Sequence, residues 1–145
     1  MVNHSTNPML RSGLLLAGAN KSWFDSSGVF NQSEDGVLSA DEISLLDLSS
    51  TKLVILSACE TGLGEIRGNE GVYGLQRAFK IAGVQSMIMS LWQVPDKQTA
   101  ELMELFYENW LVKGMSIRNS LQAAQKTLRD KKLEPYYWAG FILLE

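Results

Sequence analysis

A chain of 145 residues is long enough for one domain with a real core and too short for two comfortable ones. Hydrophobic residues make up 46% of it and charged residues 20%, an ordinary globular balance, and a formal net charge of −3 supplies no basic field for a nucleic acid. No apolar run approaches the roughly 18 residues of a membrane span, and one cysteine with one histidine makes neither an internal disulfide nor a metal cluster. The first residues, Met1 to Ser5, carry neither a basic nor an apolar leader region, so no secretory signal is expected. There is no repeat, heptad run or low-complexity tract, and the whole of 1–145 reads as one unit.

Taken in chain order, Gly13-Leu14-Leu15-Leu16-Ala17-Gly18 is a short, Gly-bounded apolar run that suits a buried strand. Asn20 to Gly36 turns to Asn, Ser, Asp and Gly with scattered aromatics, a loop or irregular hairpin. Ser39-Ala40-Asp41-Glu42 is a capping box, which predicts a short helix to about Leu46. Lys52 to Cys59 is a continuous β-branched and Leu run, the pattern of a strand buried on both faces in a parallel sheet. A glycine-rich stretch, Thr61 to Gly71, leads into helical spacing over Val72–Phe79 that stops at Gly83.

Ser86 to Trp92 predicts another buried strand. Asp96 or Thr99 starts a long amphipathic helix through Trp110 to Gly114, in which Phe106, Tyr107 and Trp110 mix core and surface. Ser116 caps a second helix through Leu121 and Leu128 to Lys131, with Pro135 as its stop, and Trp138 to Leu144 is a final strand. The order β–α–β–α–β–α–α–β predicts an α/β fold, a three-layer α/β/α sandwich around a mostly parallel sheet. Ligands and catalytic groups collect at the carboxyl ends of such strands, which directs attention to Ala58–Gly71 and Trp92–Asp96.

Cys59 ends its strand and is followed by Glu60-Thr61-Gly62-Leu63-Gly64, backbone that can aim N–H donors at a developing oxyanion. Position alone leaves two readings of Cys59 open, a nucleophile or a small buried thiol. Gly62-Leu63-Gly64-Glu65-Ile66-Arg67 begins like a dinucleotide cradle, but Arg67 stands at the third glycine and Ser90-Leu91-Trp92 offers no ribose-binding carboxylate. That reading falls, and no Walker loop, HExxH or CxxC spacing occurs.

Several segments together resemble one family. They are Asp35 to Ile43, Leu53-Val54-Ile55-Leu56-Ser57-Ala58-Cys59-Glu60-Thr61-Gly62-Leu63-Gly64, and Glu70 to Phe79, followed by Ser90-Leu91-Trp92-Gln93-Val94-Pro95-Asp96 and Tyr137-Trp138-Ala139-Gly140-Phe141. In order and spacing, from Asn7 onward, they look like the CHAT domain, a caspase- and separase-like domain often found behind TPR repeats. The resemblance implies a cysteine endopeptidase fold in which a histidine after one strand and a cysteine after the next form a dyad. It assigns the nucleophile to Cys59 and leaves Gly62 and Gly64 as the loop beside the oxyanion. It implies a protein or peptide substrate, possible TPR repeats in the same full-length chain, a cytoplasmic setting, and no metal or organic cofactor. Neither a nucleic acid nor a membrane is an expected partner.

The family histidine stands in a T-H-G motif after an apolar strand, and Asn7 to Leu14 resembles the sequence that follows that motif. The resemblance therefore implies a partial domain whose base and first strands lie upstream of Met1, and an isolated chain that is inactive. His4 lies about the caspase-like ~50 residues before Cys59. No strand precedes it, however, and Ser5 rather than Gly follows it, so it reads as a solvated imidazole rather than the base. Asp96 matches an acidic position resembling the separase residue that fixes a basic P1 side chain; a helix N-cap explains an Asp there equally well. The alternative for the whole chain is a catalytically silent interaction module in a TPR-linked signalling or defence assembly.

Overall fold

The computed structural model describes residues 12–17, 19, 36–57 and 70–145, with the backbone alone for 70–73. These residues belong to two units. In the first, strand β1 (Gly13–Leu15) pairs antiparallel with β2 (Val37–Ser39), Gly13 opposite Ser39 and Leu15 opposite Val37. The apolar run of the sequence is thus a strand, but its partner is an antiparallel neighbour, and Leu15 and Leu16 are exposed.

Helix α1 (Ala40–Ser44) starts where the capping box places it. The Glu42 amide donates to Ser39 Oγ at 3.2 Å, and the Ser39 amide donates to Glu42 Oε2 at 2.8 Å. These reciprocal bonds occupy two N–H groups that a helix start otherwise leaves orphaned. Helix α2 (Glu70–Ile81) packs against α1, burying Leu75, Ala78 and Phe79 on one side while Ile43 is buried from the other helix.

The stop at Gly83 has a specific geometry. Gly83 has a φ of +98°, its amide donates to the Lys80 carbonyl at 3.1 Å, and the Val84 amide reaches back to the Phe79 carbonyl at 3.0 Å. This is a Schellman ending, with glycine at the one left-handed position.

The second unit holds a three-stranded sheet in the order β3 (Leu53–Leu56), β4 (Ser86–Ser90), β5 (Phe141–Leu144). β3 and β4 are parallel, in register from Leu53 opposite Ser86 to Leu56 opposite Met89; β5 runs antiparallel to β4, with Phe141 opposite Ser90. The architecture is α/β. Among the described residues its pairing is mixed, one parallel and two antiparallel pairs, where the sequence predicted a mostly parallel sheet. In the second unit the reason lies in β5: two helical segments rather than one separate it from β4, so the chain re-enters beside β4 from the end at which β4 leaves the sheet, whereas a single-helix crossover returns it to the starting end. The burial expected of both strands is met by β4 but not by β3. All five residues of β4 are buried, while those of β3 are half-buried at an edge of the described sheet.

Helix α3 (Asp96–Tyr107) continues as a π-helical turn, Glu108–Val112, so the helical run reaches the predicted length with a local widening the sequence did not announce. The Lys113 amide closes the wide turn on the Glu108 carbonyl at 3.0 Å, and Gly114 follows at φ +69°. Phe106 is fully buried, Tyr107 is 41% exposed, and Trp110 packs partly buried against the core, the mixture its spacing predicted.

Ser116 caps helix α4 (Ile117–Asp130) by accepting from the Asn119 amide at 3.2 Å. Leu121, Ala124 and Leu128, spaced at three and four residues, bury one stripe against Ile88, Leu102, Phe106 and Phe141. Pro135 is not what ends α4. The helix closes at Lys132, whose φ is +61°, and Pro135 instead opens a 3-10 turn, Pro135–Tyr137. β5 begins at Phe141, later than the Trp138 start predicted, because Trp138 to Gly140 turn the corner into it.

Candidate functional site

The parallel register of β3 and β4 brings their carboxyl ends to the same edge of the sheet. That is where an α/β sheet offers strand exits and helix starts to a ligand. Two exits define the edge. After β3 the described chain ends at Ser57; after β4 it turns through Leu91–Pro95 into α3. Ser90, buried at 4% exposure, joins them: its hydroxyl donates to the Ser57 carbonyl at 3.1 Å. A buried hydroxyl with a carbonyl partner fixes the spacing of the two strand exits at small cost.

Cys59 is two residues beyond Ser57 in the sequence and lies outside the described residues, as do His4, Gly62 and Gly64. Asp96 is described. It is the first helical residue of α3 and its side chain is exposed. The N-cap position that one reading gave it belongs to Pro95, and no side chain caps the helix there. Pro has no amide hydrogen to leave orphaned, and its carbonyl accepts the amides of Gln98 and Thr99 at 3.0 Å each. An acid in the first turn still interacts favourably with the positive end of the helix dipole.

The exit of β4 is braced by the chain around β5. The Leu91 amide donates to the Gly140 carbonyl at 2.7 Å. The indole of Trp92 donates to the Tyr136 carbonyl at 2.8 Å, and the Tyr136 hydroxyl donates to the Gln93 carbonyl at 2.6 Å. The two rings stack with centroids 6.1 Å apart and an interplanar angle of 17°. Beneath them, Gln125 donates to the carbonyls of Trp138 at 3.1 Å and Phe141 at 2.8 Å, and the Trp138 indole donates to the Leu133 carbonyl at 3.0 Å. Trp92 and Trp138 are therefore half-buried residues with satisfied indoles.

Sequence reasoning missed Ser90, Gln125, Tyr136 and Gly140 as parts of this edge. The aromatic run Tyr136-Tyr137-Trp138 after Pro135 carries no local signal that pairs it with the exit of β4. Among the described residues no group of three His, Cys, Asp or Glu side chains is placed to hold a metal ion, and no helix is long and apolar enough to cross a membrane.

The sequence profile of the CHAT domain matches residues 2–145. Tetratricopeptide repeat protein 28 of Mus musculus is 37% identical over 103 residues, and the same-named protein of Homo sapiens is 34% identical over 103 residues. Each alignment covers 69% of this chain but 4% of the relative, so the chain spans a small fraction of the length of the curated relatives it matches. A profile match from residue 2 to residue 145 leaves no part of the described fold outside it, and on that ground the chain belongs to the CHAT domain family.

Proposed function

We propose that the chain is the nucleophile-bearing part of a CHAT-type cysteine endopeptidase domain, with a caspase-like three-layer fold. The observation that carries this reading is the family match across residues 2–145, which includes the run Ser57-Ala58-Cys59-Glu60-Thr61-Gly62 just after strand β3. The common edge reached by β3 and β4, where Ser90 holds the strand exits together, supports it.

In this reading the Cys59 thiolate attacks the carbonyl carbon of a peptide bond, and backbone N–H groups near Gly62 and Gly64 hold the oxyanion of the tetrahedral intermediate. The intermediate collapses to a thioester as the amine leaves with a proton from the catalytic histidine. Water, deprotonated by the same base, then hydrolyses the thioester and frees the thiol. That histidine is the one of the family's T-H-G motif rather than His4. Asp96 selects a basic P1 side chain by charge-assisted hydrogen bonding. The relatives' name places tetratricopeptide repeats in those proteins, and we extend a TPR-linked arrangement to the full-length protein here.

The test is alkylation of Cys59 by iodoacetamide at mildly acidic pH, in the full-length protein. An ordinary thiol, with a pKa of about 8.5, is almost entirely protonated there. Labelling well above the free-thiol rate, abolished by replacing the histidine of the T-H-G motif, is the expected result. Labelling at the free-thiol rate would overturn the peptidase reading in favour of a silent interaction module.

A further inference from the structure

We propose that Tyr136 is a positioning residue for P1 selection: it fixes the connection between β4 and α3, the segment that delivers Asp96. The proposal rests on the peptidase reading above and goes beyond it, because Tyr136 belongs to none of the motif positions that carry nucleophile, base or pocket acid.

The connection Leu91–Pro95 forms no strand or helix of its own. Its ends are held by the Leu91 amide on the Gly140 carbonyl and by Val94 in the core, and between them its path at Trp92–Gln93 is set by two bonds of opposite sense. Trp92 on the connection donates its indole N–H to the Tyr136 backbone, and Tyr136 on the turn donates its hydroxyl to the Gln93 backbone. Together with the ring stack, this makes a reciprocal clamp that closes three residues before Asp96. Both partners must be in place for either bond to form, so the two sides order one another.

One side of the clamp is firmly held. The turn Pro135–Tyr137 is closed by bonds from the Tyr137, Trp138 and Ala139 amides to the carbonyls of Glu134 and Pro135, at 3.0, 3.2 and 2.8 Å. Gln125 and the Trp138 indole then tie the following residues to helix α4 and its ending. The other side, the β4–α3 connection, is the part whose backbone the clamp fixes.

Tyr136 itself is 49% exposed and stands outside the buried cluster of the unit. Its hydroxyl therefore adds little to the core, and its effect falls on the conformation of Gln93–Asp96. Holding a recognition segment in its binding conformation removes an ordering cost that the substrate would otherwise meet. A P1 side chain read by Asp96 gains from that order; one that does not engage Asp96 does not.

The experiment uses the full-length protein with Tyr136→Phe, which keeps the ring and removes only the hydroxyl. Cleavage of paired peptides with Arg or norleucine at P1 is compared, alongside amide exchange of Gln93, Val94 and Asp96. The expected result is a loss of about two- to tenfold in the Arg-over-norleucine ratio of kcat/KM, the range one hydrogen bond supports. Norleucine cleavage is unchanged and exchange at the three amides is faster. A purely structural role would slow both peptides alike, and that result, like an unchanged ratio, overturns the proposal while leaving the peptidase reading intact. Cleavage of neither peptide in a Cys59-dependent way overturns the peptidase reading and this proposal with it.

Discussion

Gly140 lies directly against the indole of Trp92. A Cβ at position 140 would stand 3.0 Å from both Cε2 and Nε1 of that ring and 2.9 Å from Cγ2 of Val94. Neither neighbour is the loose end of a flexible side chain: Trp92 is held by its bond to the Tyr136 carbonyl, and Val94 is buried in the core cluster.

Gly140→Ala should therefore destabilise the chain by about 1–3 kcal/mol, the usual range for overpacking. Urea unfolding reads the loss directly. Trp92→Phe withdraws the side of the ring that is struck, so a double-mutant cycle should show the two substitutions partly compensating. An unaffected midpoint in Gly140→Ala would mean the corner yields more readily than its contacts imply.

Lys132 holds a left-handed backbone at φ +61° to close helix α4. Its amide donates to Arg129 O at 2.9 Å and the Leu133 amide reaches Leu128 O at 3.4 Å, the same Schellman pattern that Gly83 completes in α2. A side chain pays strain there that glycine does not. Lys132→Gly should stabilise by about 0.5–1 kcal/mol after allowing for glycine's freer unfolded chain, visible as a higher melting temperature. A lower melting temperature would show that the lysine side chain contributes more than its backbone strain costs.

Asp47 accepts from the Ser49 hydroxyl at 2.6 Å and from the Ser49 amide at 3.1 Å. The side-chain bond, then the backbone bond, lower its pKa from the ordinary 3.8. A carboxylate with a depressed folded pKa stabilises the fold above its unfolded value, and that contribution disappears as pH falls through the lower folded value. NMR titration of Asp47 should give a midpoint below 3.8. Ser49→Ala should move that midpoint upward without restoring it fully, because the amide bond remains; an unmoved midpoint would reject the hydroxyl as the main cause.

Much of the fold is legible in the sequence. Ser39 with Glu42, Ser116, and Gly83 are local signals, and each acts through bonds to residues within five positions of itself. The stripe of Leu121, Ala124 and Leu128 was equally plain, since periodicity encodes which face is buried. Pairing direction was not legible. Nothing within Phe141–Leu144 says that β5 enters antiparallel to β4, because that depends on where the preceding turn leaves the chain. The end of α4 at Lys131 was legible, but its cause, the left-handed Lys132 rather than Pro135, was not, because Lys at a left-handed position carries no sequence mark. In the candidate site, the motif named Asp96, which the structure shows as the exposed first residue of α3, whereas the contacts of Tyr136 and Gly140 are with partners more than forty positions away in the chain.

The order in which the second unit assembles follows from its strand partners. Helices α3 and α4 are neighbours in the chain and pack together, so their contacts close a short loop. β5 meets β4 only after both helices intervene, which makes that ladder the expensive long-range closure. Folding should therefore be set by the helical hairpin docking on β4, with β5 zipping on afterwards. Chevron analysis offers a clear reading: Leu128→Ala should slow refolding, while Ile142→Val should chiefly speed unfolding. The reverse pattern would place the antiparallel ladder in the folding nucleus. With β5 zipping on last, sheet edge and helix pair differ in lifetime as well as in place, the strand at Phe141–Leu144 being the first to let go.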